Sequence, residues 1–135
     1  MVNDHLSDFV TRIRNGYGAG LVQILVPQTN IVLKVGETLV RTGYLESVEK
    51  GDKKTKNLKG PVMATIKLKY NKKKPAVMGI SRVSKPGARV YTGVKDIPSV
   101  WGRLGTNILS THKGIMSTKE ARKLNIGGEI ICQVW

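Results

Sequence analysis

The residues best suited to chemistry lie between Gly105 and Ser117. Ser110, Thr111, His112, Lys113 and Gly114 stand in a row, flanked by the apolar pairs Ile108-Leu109 and Ile115-Met116. Apolar pairs on either side of small and polar residues read as strand, turn, strand, with the turn presented to solvent. Hydroxyls both donate and accept hydrogen bonds, Lys113 supplies positive charge, and Gly114 removes the side chain that would hold a sugar-phosphate backbone at a distance. Ser117 and Glu120 have the Ser-x-x-Glu spacing of a capping box, so a helix is expected directly after the second strand, giving the turn a rigid base.

The same groups raise the question of catalysis. A hydrolase would use His112 as base and Ser110 or Cys132 as nucleophile. Adjacent strand residues point to opposite faces, and Ser110 and His112 are separated by one residue with no evident carboxylate to orient the imidazole. Two histidines, His5 and His112, make the catalytic supply thin. The chain has no phosphate-cradling Gly-rich loop ending in Lys-Ser/Thr, no His-Glu-x-x-His and no paired metal-ligand spacing. Gly16-x-Gly18-x-Gly20 lacks the dinucleotide spacing and follows a helix pattern, so it reads as a flexible connector. The sequence therefore describes no enzyme and calls for no cofactor or metal. Cys132 is the single cysteine, which excludes an internal disulfide and a cysteine-built zinc site and suits a reducing compartment.

Charge points to binding instead. Among 135 residues, 23 Lys and Arg face 9 Asp and Glu, a net charge of +14, well beyond what solubility asks of a chain of this length. A polyanion is the expected partner. With 40% apolar residues the chain is globular. It shows neither a long apolar span nor a basic amphipathic helix, so an anionic membrane fits less well than nucleic acid. No secretory or transit-type leader precedes the first helix pattern, so the chain is expected to work where it is made unless a leader has been removed.

The elements that must position these groups follow from periodicity. Val2, Leu6, Phe9, Val10, Ile13 and Tyr17 form one face of a helix capped by Asn3 or Asp4 and broken by Gly16 and Gly18. Arg12, Arg14 and Asn15 fall off that face, suiting either a solvated helix end or phosphate contact. Val22, Ile24 and Val26 alternate up to Pro27, and Thr29 or Asn30 can cap a second helix ending near Gly43, with Gly36 a weak point inside it. Strands are expected over Tyr44–Glu49 and Val62–Tyr70, joined by a basic loop, Lys50 to Lys59. Asn71-Lys72-Lys73-Lys74-Pro75 has no apolar residue and is the expected boundary between two halves.

Beyond it, a strand from Val77 or Met78 to Val83 leads to Lys85-Pro86-Gly87, a turn with proline preset and glycine supplying positive φ. Arg82, Lys85, Arg89 and Tyr91 surround this turn, cations beside an aromatic plane able to stack on an exposed base, or an ordinary hairpin with surface cations and a core tyrosine. A brief helix near Asp96 or Pro98, running through Val100, Trp101 and Leu104, precedes Gly105. The helix after Ser117 is expected to end at Gly127-Gly128, and Ile130–Trp135 forms a closing strand with Cys132 as a buried small hydrophobe.

Several runs together are similar to one family. Ser110-Thr111-x-x-Gly114-Ile115-Met116 followed by Lys119-Glu120-Ala121-Arg122, Gly127-Gly128-Glu129-Ile130-Ile131-Cys132, Thr11-Arg12-Ile13-Arg14-Asn15-Gly16 and Arg82 to Tyr91 resemble bacterial-type small-subunit ribosomal protein eight across essentially the whole chain. The resemblance implies a primary binder of the central domain of small-subunit rRNA that helps assemble the subunit platform. Its partners would be that rRNA, neighbouring small-subunit proteins and, in bacterial members, the protein's own operon mRNA. It places the chain in a ribosome of the bacterial cytoplasm or of an organelle, mitochondrion or plastid. It also implies that Ser110, Thr111 and His112 meet the minor-groove side of an irregular RNA helix with Glu129 held nearby. His112 stands where the family has a third hydroxyl.

The expected protein is α+β in two subdomains. Residues 1–73 form an α/β layer ordered helix-strand-helix-strand-strand, and residues 74–135 form a mostly β RNA-binding half with short helices. Its RNA contacts are Arg12, Arg14, Asn15, Arg82, Lys85, Arg89, Tyr91, Ser110, Thr111, His112, Lys113 and Gly114. Glu129 orients rather than touches, because a carboxylate repels phosphate. The alternative is a general basic RNA- or DNA-binding protein without a specific rRNA site. A DNA reader would need a recognition helix rich in Arg, Asn and Gln, and the helix after Ser117 is short and poor in them.

Overall fold

The computed structural model describes residues 5–51, 60–100 and 104–135. Asn3 and Asp4 as caps, most of the Lys50 to Lys59 loop, and Trp101 lie outside the described residues. The chain forms two compact units, His5–Ala76 and Val77–Trp135. The architecture is α+β, with helices concentrated in the first unit and antiparallel strands dominating the second.

In the first unit, helix α1 (His5–Gly18), strand β1 (Gln23–Pro27), helix α2 (Asn30–Arg41), strand β2 (Leu45–Glu49) and strand β3 (Met63–Leu68) follow the expected order. The three strands form an antiparallel sheet ordered β1-β3-β2. Ile24 and Val26 are buried and pair with Ile66 and Ala64, so one sheet face is apolar and receives α1 against β1 and α2 against β2. Phe9, Ile13, Val32, Val35 and Leu39 fill the space between.

Thr29 caps α2 by accepting from the amide of Val32 at 3.2 Å. Gly16, expected to break α1, and Gly36, expected to weaken α2, are packing positions. A Cβ on Gly16 would lie 2.7 Å from Ile24 Cγ2, and one on Gly36 would lie 2.9 Å from Val48 Cγ2. Helix α1 consequently runs on to Gly18 instead of breaking at Gly16, and Gly16-x-Gly18-x-Gly20 is a helix end rather than a connector.

The Asn71–Pro75 run is also structured. Strands β4 (Tyr70–Asn71) and β5 (Lys74–Pro75) pair antiparallel, leaving Lys72 and Lys73 as a two-residue turn. Both have positive φ, 51° and 68°, where a side chain costs about 1–3 kcal/mol for each residue.

The second unit is a five-stranded antiparallel sheet. Its elements are β6 (Ile80–Arg82), β7 (Tyr91–Thr92), β8 (Thr106–Thr111), β9 (Gly114–Ser117), α3 (Thr118–Leu124) and β10 (Gly128–Val134). The order is β6-β10-β8-β9, with β7 beside β10. Leu109, Met116, Ala121, Ile130 and Ile97 form its core under α3. The register between β8 and β10 shifts between Ile130 and Cys132, so Ile131 is an extra, bulged residue. Its carbonyl accepts from the amide of Val83 at 3.0 Å and from Arg82 Nη1 at 2.8 Å.

Four local expectations need correcting. The strand before the cation turn is only Ile80–Arg82. Gly87 is not among the glycines of positive φ, and Lys85 and Ala88 close the turn with mutual backbone bonds, so proline at the first corner suffices. The expected helix near Asp96 is a single 3-10 turn, Val94–Asp96, placed before Pro98. Helix α3 ends at Leu124 because Asn125 takes the left-handed cap, φ 58°, leaving Gly127 and Gly128 for another purpose.

Candidate nucleic-acid interface

The turn between β8 and β9 is held by its own hydroxyl. Thr111 pairs with Gly114, so His112 and Lys113 are the two residues between the strands. Thr111 Oγ1 donates to the Gly114 carbonyl at 2.8 Å and accepts from the Lys113 amide at 3.1 Å. A hydroxyl has one donor and two lone pairs, so one acceptor position remains for a partner such as a ribose 2′-hydroxyl. Gly114 sits at φ 113°, where only glycine is unstrained, and no atom lies within 4 Å of the place a Cβ would occupy. His112, Lys113 and Gly114 are exposed.

The base of the hairpin is locked as the capping box requires. Ser117 Oγ accepts from the Glu120 amide, and Glu120 Oε1 accepts from the Ser117 amide. Beneath it Asn107, 1% exposed, donates from Nδ2 to the Pro98 carbonyl at 2.7 Å and to Thr118 Oγ1 at 3.2 Å.

Register then gathers residues that are far apart in sequence. Ser110 pairs with Glu129 across β8 and β10, and Glu129 pairs with Tyr91 across β10 and β7. Directly opposed residues share a sheet face and neighbouring strands lie about 4.8 Å apart, so Tyr91, Glu129 and Ser110 form one row. Thr111 lies on the other face, where its hydroxyl approaches Met116 Sδ at 3.9 Å. Tyr91 is 71% exposed and so is no core tyrosine; its ring is available for stacking.

Close strand approach here requires Gly128. A Cβ on it would lie 2.3 Å from the Ser110 carbonyl and 3.1 Å from Thr111 Cγ2.

Glu129 is buried on most of its side chain and neutralised where it stands. Ser84 Oγ donates to Glu129 Oε2 at 2.5 Å, and Arg89 Nη1 lies 3.1 Å from the same oxygen. Burial by itself would raise its pKa, but the Ser84 and Arg89 hydrogen bonds and the charges of Arg89 and Arg82 together hold it below the ordinary carboxylate value. Ser84, fully buried, also accepts from the Val90 amide at 3.1 Å, so one hydroxyl ties the Lys85–Arg89 turn to the sheet row. Ser84 was not among the expected site residues. Its only sequence signal is a small hydroxyl beside a cation-rich turn, and its partner lies 45 residues away.

The cations differ in what they already do. Lys85 and Arg89 are exposed around the turn that Ser84 anchors, and Lys113 is exposed at the hairpin tip. Arg82 is half-buried on the bulge carbonyl of Ile131. Arg12, Arg14 and Asn15 belong to the other unit. Arg12 donates to Asp8 Oδ2 at 2.9 Å and to the Leu25 carbonyl at 3.0 Å, while Arg14 and Asn15 are exposed.

Little here supports bond-making chemistry. Cys132 is fully buried, and burial pushes its thiol up to about 12, so it stays protonated and sealed from substrate. Among the described residues no group of three or more His, Cys, Asp or Glu could hold a metal ion, and no helix is long and apolar enough to cross a membrane.

Fold and site together define a basic α+β protein that carries a sheet row flanked by a tight hydroxyl-bearing turn and a cationic turn. The chain belongs to the ribosomal protein S8 family, whose sequence pattern matches residues 4–135. It is 41% identical over 135 residues to the small ribosomal subunit protein uS8c of Mesostigma viride, with all of both chains covered. It is 40% identical over 136 residues to uS8 of Persephonella marina, again covering both chains in full. The uS8 of Microcystis aeruginosa is 38% identical over 133 residues, 98% of each chain.

Proposed function

We propose that the carboxy-terminal unit is a primary binding surface for the central domain of small-subunit rRNA and so helps assemble the subunit platform. The coarser part of this reading rests on family membership: the chain is a structural, non-enzymatic constituent of the small ribosomal subunit, in the bacterial cytoplasm or a plastid. The observation that carries the finer part is the single row Tyr91–Glu129–Ser110 beside the Thr111–Gly114 turn. A-form RNA has a wide, shallow minor groove lined with 2′-hydroxyls, which a narrow two-residue turn can enter. Ser110 and the free lone pair of Thr111 meet ribose hydroxyls, and Gly114 allows the backbones to approach. His112 donates where the family has a hydroxyl, and Tyr91 stacks on an unpaired base. Lys85, Arg89 and Lys113 neutralise phosphates at the surface, and Arg82 adds charge from beneath. Arg12, Arg14 and Asn15 make RNA contacts of the amino-terminal unit's own. The same surface would accept an operon mRNA folded to mimic the ribosomal site.

The test compares binding to a central-domain rRNA fragment and to an equal-length duplex RNA across a salt titration. Tight, salt-resistant binding to the fragment alone is expected. Thr111→Ala should weaken fragment binding by about 1–3 kcal/mol, while Thr111→Ser, which keeps the hydroxyl, should restore it. Equal affinity for both RNAs would leave a general basic nucleic-acid binder.

A further inference from the structure

We propose that the β4–β5 hairpin of the amino-terminal unit is a second rRNA contact, a rigid phosphate-binding tip independent of the Ser110–Gly114 turn. The proposal rests on the reading of the chain as an rRNA binder. Its starting point is a choice of residues that the backbone disfavours. A two-residue hairpin turn with both corners at positive φ is normally made from Asn-Gly or Gly-Gly, yet here both corners are lysine. Neither lysine side chain has a hydrogen-bond or ion-pair partner among the described residues. Residues 71 to 74 are all exposed, and among the described residues neither Lys72 nor Lys73 is paired with a carboxylate.

What the fold does supply is a fixed mount. Tyr70 Oη donates to the Leu21 carbonyl at 2.6 Å, and its ring centroid lies 5.5 Å from that of Tyr17. Tyr17 Oη in turn accepts from the Lys69 amide at 3.0 Å, and the Ala76 amide donates to the Lys69 carbonyl at 2.9 Å. The strands leading into and out of the turn are thus anchored to α1 and to each other. Three consecutive ammonium groups, Lys72 to Lys74, are carried on this short support. Ammonium groups act as point charges with little directional demand, which suits phosphate oxygens. Holding the turn in place before binding reduces the ordering cost of the contact. An RNA backbone is therefore the occupant that the charge and rigidity fit.

The experiment uses the full chain and a full-length small-subunit rRNA transcript. Lys72→Asn combined with Lys73→Gly installs the preferred turn and removes two charges. It should melt no lower than the parent and reduce the slope of log affinity against log salt by about two units, one for each lost phosphate contact. Lys72→Arg with Lys73→Arg should keep the slope. As a measurement needing no variant, acetylation of Lys72 and Lys73 in the parent protein should be suppressed by the transcript. An unchanged slope, or amines that stay reactive on the RNA, overturns the proposal. Amines protected only in assembled small subunits would assign the hairpin to an acidic protein surface and also overturn it. Preference for the central-domain fragment over duplex RNA should be untouched by either variant. Loss of that preference in the parent would instead sink the proposed function, leaving the hairpin result to be read separately.

Discussion

A carboxylate beside the surface proposed to meet RNA is a liability unless its charge is already engaged, and Glu129 has its charge engaged. Ser84 and Arg89 occupy one of its oxygens, and its pKa is lowered despite burial. A carboxyl lowered in the folded state contributes stability that is complete above its unfolded value, about 4.3, and is lost as pH falls through the folded value. Glu129→Gln should therefore cost about 1.5–3 kcal/mol at neutral pH, a typical range for charge-assisted hydrogen bonds. The difference from the parent should shrink in thermal melts below about pH 4; a gap independent of pH would mean that shape, not charge, is what Glu129 supplies. At this scale the sequence was informative about type and poor about partners. Thr111 and Ser110 announce themselves as hydroxyls in a turn, but nothing local says that the proton of Thr111 is spent on Gly114. Ser84 was illegible because its meaning comes from a residue on another strand.

At the scale of elements, β10 is the axis of the second unit, since β6, β7 and β8 all pair with it. Its first residues must let β7 and β8 close in, which is why the chain carries Gly127-Gly128 just ahead of Glu129. A Cβ at either position would lie 2.2–2.3 Å from a backbone oxygen. Gly128→Ala should push β8 off β10, lower the melting temperature and separate Ser110 from Glu129. Loss of specific rRNA affinity together with retained duplex affinity would be its signature, and a variant with both affinities intact would show that the row is not required. Helices and long strands were legible because their periodicity is local: the body of α1, α2, β3 and the β8–β9 hairpin lie where apolar spacing puts them, and Thr29 and Ser117 cap α2 and α3. Departures occur where a glycine serves packing rather than termination, at Gly16, Gly127 and Gly128, and where a lysine takes a corner that statistics reserve for glycine. In each case the deciding neighbour comes from elsewhere in the chain.

Over the whole molecule, +14 of net charge is tolerable because much of it is meant to meet counter-charge. Lys85→Ala should reduce the salt slope of binding by about one unit and weaken specific and duplex RNA alike, measured in parallel titrations. A selective loss on the specific fragment would make Lys85 a reader of shape instead. The α+β class was legible from charge, periodicity and motif together. That the lysine run folds back as a hairpin was not legible, because a polar run ending in proline looks the same whether it links two bodies or pairs with itself.

Arg12 carries a last consequence. Strand β1 is the outer strand of its sheet, and such strands expose unpaired carbonyls on which another copy could build. One of these, at Leu25, is already occupied by the Arg12 guanidinium, and β1 ends in a proline that has no amide to offer. Arg12 and Pro27 together blunt this border, leaving it fewer backbone groups on which a further strand could pair.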